Sequence, residues 1–399
     1  MQFVITDQLR PGMRLAKPIY NKLGVLLYDR ENELTEQAIS SISNFGLIGL
    51  YILEPAEPAP PITEEELEFE RFQTMYMFKL KEELDRIFSG KTTQSLHSLV
   101  QTIILRYGHL DHKFNFTQTL RSTDDYIYKH SLNVAILSVM IGSVMHLDHE
   151  RMEALVLAAL LHDIGMFRLP ESVAGKSSKD YSMDDIEVIN KCMQDGYRFL
   201  QPENNPNEFP EQALRILGQV NHHFYHPYFP TDFSGKWSPL ARILQVANEY
   251  DTLTAMNIGY EPATELNAIL FLRRHNNYYD PTVVRALTEA IHIVPRASCV
   301  ELSNGEKALV LEENPDNFMS PVVLLFSTNE VIDLVNQKPG EELEIIDNMH
   351  SLDHRIPFDE ETLQQFRTDA NLTRTLFRIN MKRKEKERRA KNRAKNKSV

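Results

Sequence analysis

The sequence predicts a mainly α protein, with a small α+β module before a helical bundle and a β segment after it. Helical patterns follow one another from Ser122 to Ile293 with only short breaks. A Pro-rich stretch at 54–61 interrupts the chain before them, and Ser303-Asn304-Gly305 is a hairpin signal after them. The predicted domains are an α+β module at 1–53, a Pro-rich linker at 54–63, a helical connector at 64–115, a helical domain at 116–293, a β-rich segment at 294–350 and a basic, disordered tail at 371–399.

The first 53 residues mix short apolar runs with turn residues, which is typical of a small α+β module. The runs are Met13–Tyr20 and Gly24–Tyr28, with a strand predicted at Gly49–Leu53. One helix is predicted near Thr35–Ile42, between them.

Two helices are predicted for the connector. Thr63 and Glu66 have the spacing of a capping box, so they predict the start of a long helix toward Phe88. A second helical pattern covers Thr92–Tyr107.

The helical domain is predicted from five apolar, helix-periodic stretches. They are Leu132–Met145, Met152–Leu161, Glu211–His223, Pro239–Met256 and Thr282–His292. The first is apolar on nearly all sides, so we expect it to be buried.

The β-rich segment is predicted from strand-like runs at Cys299–Leu302, Ala308–Leu311 and Pro321–Phe326. The first two flank the hairpin signal.

Charge and composition restrict the function only broadly. The chain carries −13 in total, but the tail from Lys382 to Lys397 carries +8, so the rest carries −21. An acidic body argues against nucleic-acid binding except through the basic tail. We expect no membrane span and no secretory signal, and two cysteines suit a reducing compartment, so a cytoplasmic location is predicted.

Histidine and aspartate stand at the ends of three predicted helices: His130, His162-Asp163 and His222-His223. Imidazole and carboxylate are ligands for Mn, Fe or Zn. An aspartate beside a histidine, as at Asp163, can bridge two metals that activate water for attack on phosphorus. The spacing alone leaves a structural role for these residues open.

The order of motifs resembles the HD-GYP family of metal-dependent phosphohydrolases. The matching segments are KHSLNVA at 129–135, ALLHDIG at 159–165 with Pro170, NHH at 221–223, LARILQVANEYDTLT at 240–254 and YDP at 279–281. The resemblance covers roughly Ser122–Ile293 and implies a helical HD domain. Members hydrolyse cyclic di-GMP with two or three metal ions.

Carried over position by position, the resemblance implies His130, His162, Asp163, His222 and His223 as metal ligands, with Asp163 the catalytic, bridging residue. Cys192 stands where the family has a ligand histidine and Asn248 where it has a ligand aspartate, so both are tentative ligands. Tyr126, Met166 and Asn257 replace a third-metal glutamate, a lysine and an arginine near the substrate phosphates. The loop at Phe224–Pro230 is two residues shorter and keeps only the final proline.

These departures bear on the metals and on the substrate. Asn248 removes a negative charge from a site that must neutralise two divalent ions. Asp251, three residues further on, leaves open a replacement ligand, and a Cys192 thiolate would favour Zn or Fe. Two hypotheses follow from these changes. The first is a cyclic di-GMP signalling protein with impaired or absent hydrolysis that docks protein partners. The second is an active cyclic di-GMP phosphodiesterase with an altered metal site.

The cofactor prediction depends on the same choice: divalent ions (Fe, Mn or Zn), two of them for an active site, and none for a degenerate one. A homodimer through the long helix at 64–88 stays open because Leu67, Phe72 and Phe78 lie on it.

Overall fold

The computed structural model confirms a mainly α fold with small sheets. It describes residues 2–21, 25–53, 63–221, 237–258, 261–296, 298–314, 317–328, 330–337 and 342–348, with residues 374, 377–379 and 381–383. The predicted linker up to residue 62, the histidines at 222 and 223, the loop at 224–230 and most of the basic tail lie outside these residues. The described residues divide into two compact units: the first contains residues 3–52 and 63–292, and the second contains Gln2, Leu53 and the described residues from Ile293 onward.

The N-terminal part of the chain contains two small sheets and one helix. A three-stranded sheet places β5 (Gly49–Leu53) between β1 (Gln2–Ile5) and β2 (Arg14–Leu15), while β3 (Ile19–Tyr20) pairs with β4 (Leu26–Tyr28). Helix α1 (Glu36–Asn44) begins after Thr35, whose hydroxyl accepts a hydrogen bond from the Ala38 N–H. The mixed strands and helix agree with the α+β pattern of the sequence.

Two connector helices follow, α2 (Glu64–Phe88) and α3 (Leu96–Tyr107). The capping box is confirmed, because the Thr63 hydroxyl accepts from the Glu66 N–H and the Glu66 carboxylate accepts from the Thr63 N–H. Phe72 of α2 is buried and packs against Tyr76 and Tyr107 of the same chain.

The helical domain is built around α4 (Tyr126–Val144), which packs against α2, α3, α5, α9 and α11. The other helices are α5 (His149–Leu161), α6 (Glu171–Ala174), α7 (Met183–Phe199), α8 (Glu211–Asn221), α9 (Pro239–Thr254), α10 (Glu265–Arg274) and α11 (Pro281–Ala290). Helix α4 is long and apolar enough to cross a membrane by length and composition, yet 78% of it is buried inside the protein. It is the core helix that its all-round apolar pattern predicts.

The second unit contains a five-stranded antiparallel sheet in the order β10-β6-β7-β8-β9. Its strands are β6 (Cys299–Leu302), β7 (Lys307–Glu312), β8 (Val322–Leu325), β9 (Val331–Asp333) and β10 (Ile345–Asn348). The predicted hairpin joins β6 to β7, and Gly305 takes a φ of 81°, a conformation that glycine adopts at little cost.

Two glycines allow α7 to pack directly on the 3-10 helix Ile164–Arg168, which follows His162 and Asp163. A Cβ on Gly196 would lie 2.6 Å from both the Cα and the N of Gly165. A Cβ on Gly165 would in turn collide with the Cys192 carbonyl oxygen and the Met193 Cα. The close approach fixes the backbone immediately after the candidate metal ligands.

We expect Gly196→Ala to lower the free energy of unfolding by about 1–3 kcal/mol, the usual range for overpacking, because the obstruction is backbone on both sides. Gly175→Ala is the matched control, since its Cβ would meet only the Glu171 carbonyl oxygen at 3.5 Å, an ordinary contact. Urea denaturation of both variants measures the difference. Equal stability of Gly196→Ala and Gly175→Ala would show that α7 can move away from the 3-10 helix without an energetic cost.

Candidate metal centre

Four polar side chains from three parts of the bundle meet in its interior. His130 lies in the second turn of α4, His162 and Asp163 follow the last turn of α5, and Asn248 lies in the middle of α9. His130, His162 and Asn248 are all more than nine-tenths buried, and the Asp163 side chain is 13% exposed. Polar groups removed from water in this way require hydrogen-bond or metal partners.

The ligand atoms of His130, His162 and Asp163 form a compact triangle. The two Nε2 atoms of the histidines are 3.3 Å apart, and each lies 3.5 Å from an Asp163 carboxylate oxygen. In tetrahedral zinc sites the metal–nitrogen distance of about 2.0–2.1 Å separates neighbouring ligands by about 3.3–3.4 Å. The three residues therefore have the ligand type and the spacing for one divalent ion.

His130 is oriented by a buried ion pair. Its Nδ1 lies 2.6 Å from the Asp251 carboxylate, which also accepts from the Arg121 guanidinium at 2.6 Å. The side chains of Arg121 and Asp251 are 0% exposed, so this ion pair is fully buried. Because Asp251 can only accept, Nδ1 carries the proton, and Nε2 faces the centre, where it offers a lone pair when the ring is neutral.

Asp251 therefore does not replace the aspartate that the resemblance implies at position 248. Burial by itself would raise the pKa of Asp251, but the Arg121 charge and the His130 hydrogen bond outweigh it and hold the pKa well below its ordinary value. Its carboxylate supports His130 from the ring edge opposite the metal centre.

His162 is oriented by its own helix. Its Nδ1 lies 2.7 Å from the Ala159 carbonyl oxygen, so it donates there and leaves the Nε2 lone pair facing His130. Burial lowers the pKa of His162, against the opposing charge of Asp163. Burial also opposes the charged form of His130, but the hydrogen bond and charge of Asp251 raise the pKa of His130 overall.

Asn248 brings a neutral oxygen into the same space. Its Oδ1 lies 2.8 Å from the His130 Nε2 and 3.0 Å from the His162 Nε2. When both rings are neutral, Oδ1 and the two Nε2 lone pairs are all acceptors, so a cation, a proton or a turn of the amide that presents its N–H₂ makes the arrangement favourable.

A layer of buried amide side chains surrounds Asp251. The sequence patterns do not predict this layer. Gln118 and Asn133 each donate to Asp251 Oδ1 at 2.9 Å, and Gln73 donates to Asn133 at 2.9 Å. Asn133 lies within the KHSLNVA segment, but Gln73, Gln118 and Arg121 match none of the quoted motifs. Only their nearly complete burial identifies them.

The structure places Cys192 outside the triangle of ligands. Among the described residues, the group with ligand atoms within 4.8 Å of one another contains His130, His162 and Asp163. The Cys192 thiol instead donates to the Arg168 carbonyl oxygen at 3.6 Å, and burial raises its pKa, which favours the thiol over the thiolate. His222 and His223 lie outside the described residues, so their ligand role stays a prediction.

Two of the substituted positions contact each other beside the centre. The Tyr126 hydroxyl donates to the Asn257 side-chain oxygen at 2.5 Å, and the Tyr126 ring stacks on His130 with centroids 6.1 Å apart. The Arg121 guanidinium lies 4.9 Å from the same ring. A phenol and an amide thus contact each other where the resemblance implies a glutamate and an arginine.

Comparison with known proteins gives one domain match and several relatives. A profile of the HD domain matches residues 113–283. The cyclic di-GMP phosphodiesterase PA4108 of Pseudomonas aeruginosa is 26% identical over 212 residues, which are 52% of this chain and 49% of that protein. The cyclic di-GMP phosphodiesterase response regulator RpfG of Xanthomonas campestris pv. campestris is 27% identical over 150 residues, 37% of this chain and 39% of the relative.

A third relative, the cyclic di-GMP phosphodiesterase PdeB of Borreliella burgdorferi, is 24% identical over 247 residues, 57% of this chain and 64% of that protein. The chain thus spans less than two thirds of the length of each of these relatives. Among solved structures, Bd1817, a HDG"Y"P protein from Bdellovibrio bacteriovorus, is 15% identical with a TM-score of 0.43, covering 72% of this chain and 98% of that one.

Proposed function

Residues 113–283 of this chain are an HD domain of the HD-GYP family, and from this premise we propose that the protein acts in cyclic di-GMP signalling with impaired or absent hydrolysis. In this proposal the domain retains a centre for one divalent ion and transmits its signal by docking other proteins. The relatives named for cyclic di-GMP hydrolysis support the nucleotide class.

The observation that carries the proposal is the charge of the centre. Asp163 supplies a carboxylate to the three-residue group, while Asp251 is already paired with Arg121. Asn248 supplies a neutral oxygen 2.8 Å from His130. Two-metal hydrolysis places two divalent ions about 3.5–4 Å apart, which requires several anionic ligands around them.

The contact between Tyr126 and Asn257 supports the same proposal from the substrate side. Cationic groups on the phosphates are a usual source of transition-state stabilisation. The positions of Met166 and Asn257 carry no cation, and the Asn257 oxygen is engaged by the Tyr126 hydroxyl. Binding of the nucleotide is therefore expected to depend less on charge than in an active enzyme.

A second function, an active cyclic di-GMP phosphodiesterase, is favoured by one specific observation. The His130 and His162 lone pairs and the Asp163 carboxylate still converge with the spacing of a metal site. In this alternative, Asp163 would be the catalytic ligand, His222 and His223 would complete the site, and the metal, when bound, would supply activated water.

Metal analysis of anaerobically purified protein, followed by a cyclic di-GMP hydrolysis assay with added Mn, Fe or Zn, separates the two functions. The proposal predicts about one divalent ion per chain and little or no hydrolysis. About two ions per chain together with turnover of cyclic di-GMP establishes the phosphodiesterase instead. A chain without metal after addition of all three contradicts the proposed metal centre.

Asp163→Asn should strip the metal, while Cys192→Ser should leave it bound. Asp163 is the anionic member of the described triangle, whereas the Cys192 thiol contacts the Arg168 carbonyl oxygen outside it. We expect Asp163→Asn to weaken zinc binding at least about 100-fold, the upper end of effects measured for supporting residues of metal sites. Elemental analysis and helical circular dichroism of both variants give the answer. Metal loss in Cys192→Ser would instead show that the Cys192 thiolate is a metal ligand.

The proposal also includes the cellular location of the protein and its partners. We place the protein in the cytoplasm, as the low cysteine content and the nucleotide class suggest. Protein partners and a homodimer through the exposed side of α2 remain proposals. Size-exclusion chromatography with light scattering tests the dimer.

A further inference from the structure

The segment that supports the metal centre is itself held by the N-terminal part of the chain. We call residues 118–123 the support segment and residues 3–52 the N-terminal module. From the support segment, the Arg121 and Gln118 side chains donate to Asp251, which holds His130.

The backbone of the support segment faces the N-terminal module. The Lys17 ammonium donates to the Gln118 carbonyl oxygen. The Ile48 N–H donates to the Arg121 carbonyl oxygen at 3.0 Å, and Leu47 and Ser122 form an antiparallel bridge. The residues whose side chains hold Asp251 therefore have their backbone oxygens bound to the module.

We propose that the N-terminal module is a positioning element of the metal centre, and that Lys17 is a positioning residue which sets the orientation of His130 through the support segment. The proposal rests on the metal centre of the proposed function. Lys17 does not contact a ligand atom of the centre; it acts through Gln118 and Asp251.

The chain of contacts is short and buried, which makes it sensitive to small displacements. The Arg121 and Asp251 side chains are 0% exposed, and Gln118 is 8% exposed. Water cannot replace a lost hydrogen bond inside such a network, so a shift of the support segment changes the hydrogen bond at His130 Nδ1. Outer partners of metal-binding histidines typically change metal affinity 10–100-fold.

The test compares Lys17→Met, which removes the donor, with Lys17→Arg, which retains one. Arg30→Met is the matched control, because Arg30 also joins the module to the helices, through Glu70 of α2 at 2.9 Å, but does not contact the support segment. The first readout is the His130 Nδ1–H proton resonance in full-length protein labelled with nitrogen-15 histidine, assigned by its loss in His130→Asn. The second is zinc affinity by competition with a chelating dye.

We expect Lys17→Met to move or broaden the His130 resonance and to weaken zinc binding about 10-fold, as for an outer partner of a metal ligand. Lys17→Arg and Arg30→Met should resemble the original protein. An unchanged His130 resonance in a folded Lys17→Met protein overturns the proposal. An effect of equal size in Arg30→Met also overturns it, since it would show a general loosening of the module.

Two further outcomes keep the proposals distinguishable. If the original protein binds no zinc, the metal centre fails, and the His130 resonance still decides the positioning role. If Lys17→Met does not fold, Arg121→Lys takes its place, because it retains the charge but its different side-chain reach disturbs the contact to Asp251. An unchanged His130 resonance in Arg121→Lys overturns the positioning role.

Discussion

Asn248→Asp should tighten the binding of divalent metal by about 100-fold, which corresponds to about 2.7 kcal/mol. The substituted carboxylate would replace an amide oxygen that already lies within 3.0 Å of both histidine Nε2 atoms. No movement of the helices is needed to bring the new charge to the centre.

The size of the effect follows from charge and from hydrogen-bond capacity. A unit charge pair at 4 Å is worth about 4 kcal/mol at an effective dielectric of 20, and part of this is lost in removing the new carboxylate from water. An asparagine can also turn its N–H₂ toward the two ring lone pairs, whereas an ionised aspartate has no hydrogen to donate. In metal-free Asn248→Asp protein, the carboxylate and the two ring lone pairs therefore lack hydrogen-bond donors. The metal-bound form is then favoured more strongly over the metal-free form.

Titration calorimetry with Zn²⁺ and Mn²⁺ measures this change in the original protein and in Asn248→Asp. Asn267→Asp is the matched control, since it adds the same charge at an exposed position of α10 away from the centre. Equal affinities in all three proteins would mean that His130, His162 and Asp163 do not hold the metal. Tighter metal binding without cyclic di-GMP turnover would indicate that the substituted substrate positions, Met166 and Asn257, also prevent hydrolysis.

Much of the fold was predictable because it depends on local patterns. The Thr63 and Glu66 spacing gave the start of α2, and the all-round apolar run after His130 gave the central helix α4. Helix α10 is not predicted, because its apolar residues span only ten positions and its neighbours include turn residues. The strands β9 and β10 were also missed, since three or four residues carry little periodicity.

The grouping of three candidate ligands was predictable, whereas the residues that support them were not. The motif order brought together His130, His162 and Asp163, as the structure shows. The role of Asp251 could not be derived, because helical spacing places it near Asn248 without saying which edge of the His130 ring it meets. Arg121 precedes α4 in an irregular segment, and burial of an arginine depends on distant packing that a sequence pattern does not record.

Asp251→Asn should lower the free energy of unfolding by about 3–5 kcal/mol, because it leaves the Arg121 guanidinium buried without an anionic partner. Few total stabilities exceed about 15 kcal/mol, so the loss is large. Asp280→Asn is the matched control: its carboxylate pairs with Arg242 at 2.9 Å, but the two side chains are 25% and 17% exposed. Water reaches that pair, so we expect a loss of about 1 kcal/mol or less.

The loss in Asp251→Asn should also depend on pH. The pKa of Asp251 is lowered in the folded protein, so its ionised form stabilises the fold above the unfolded pKa of about 3.9, and this contribution declines as the pH falls below that value. Urea denaturation at pH 7 and near pH 3 should therefore show a smaller difference between the original protein and Asp251→Asn under acid conditions. A loss equal to that of Asp280→Asn at pH 7 would show that water enters around Arg121. In that case the buried support of His130 would be no stronger than a surface ion pair.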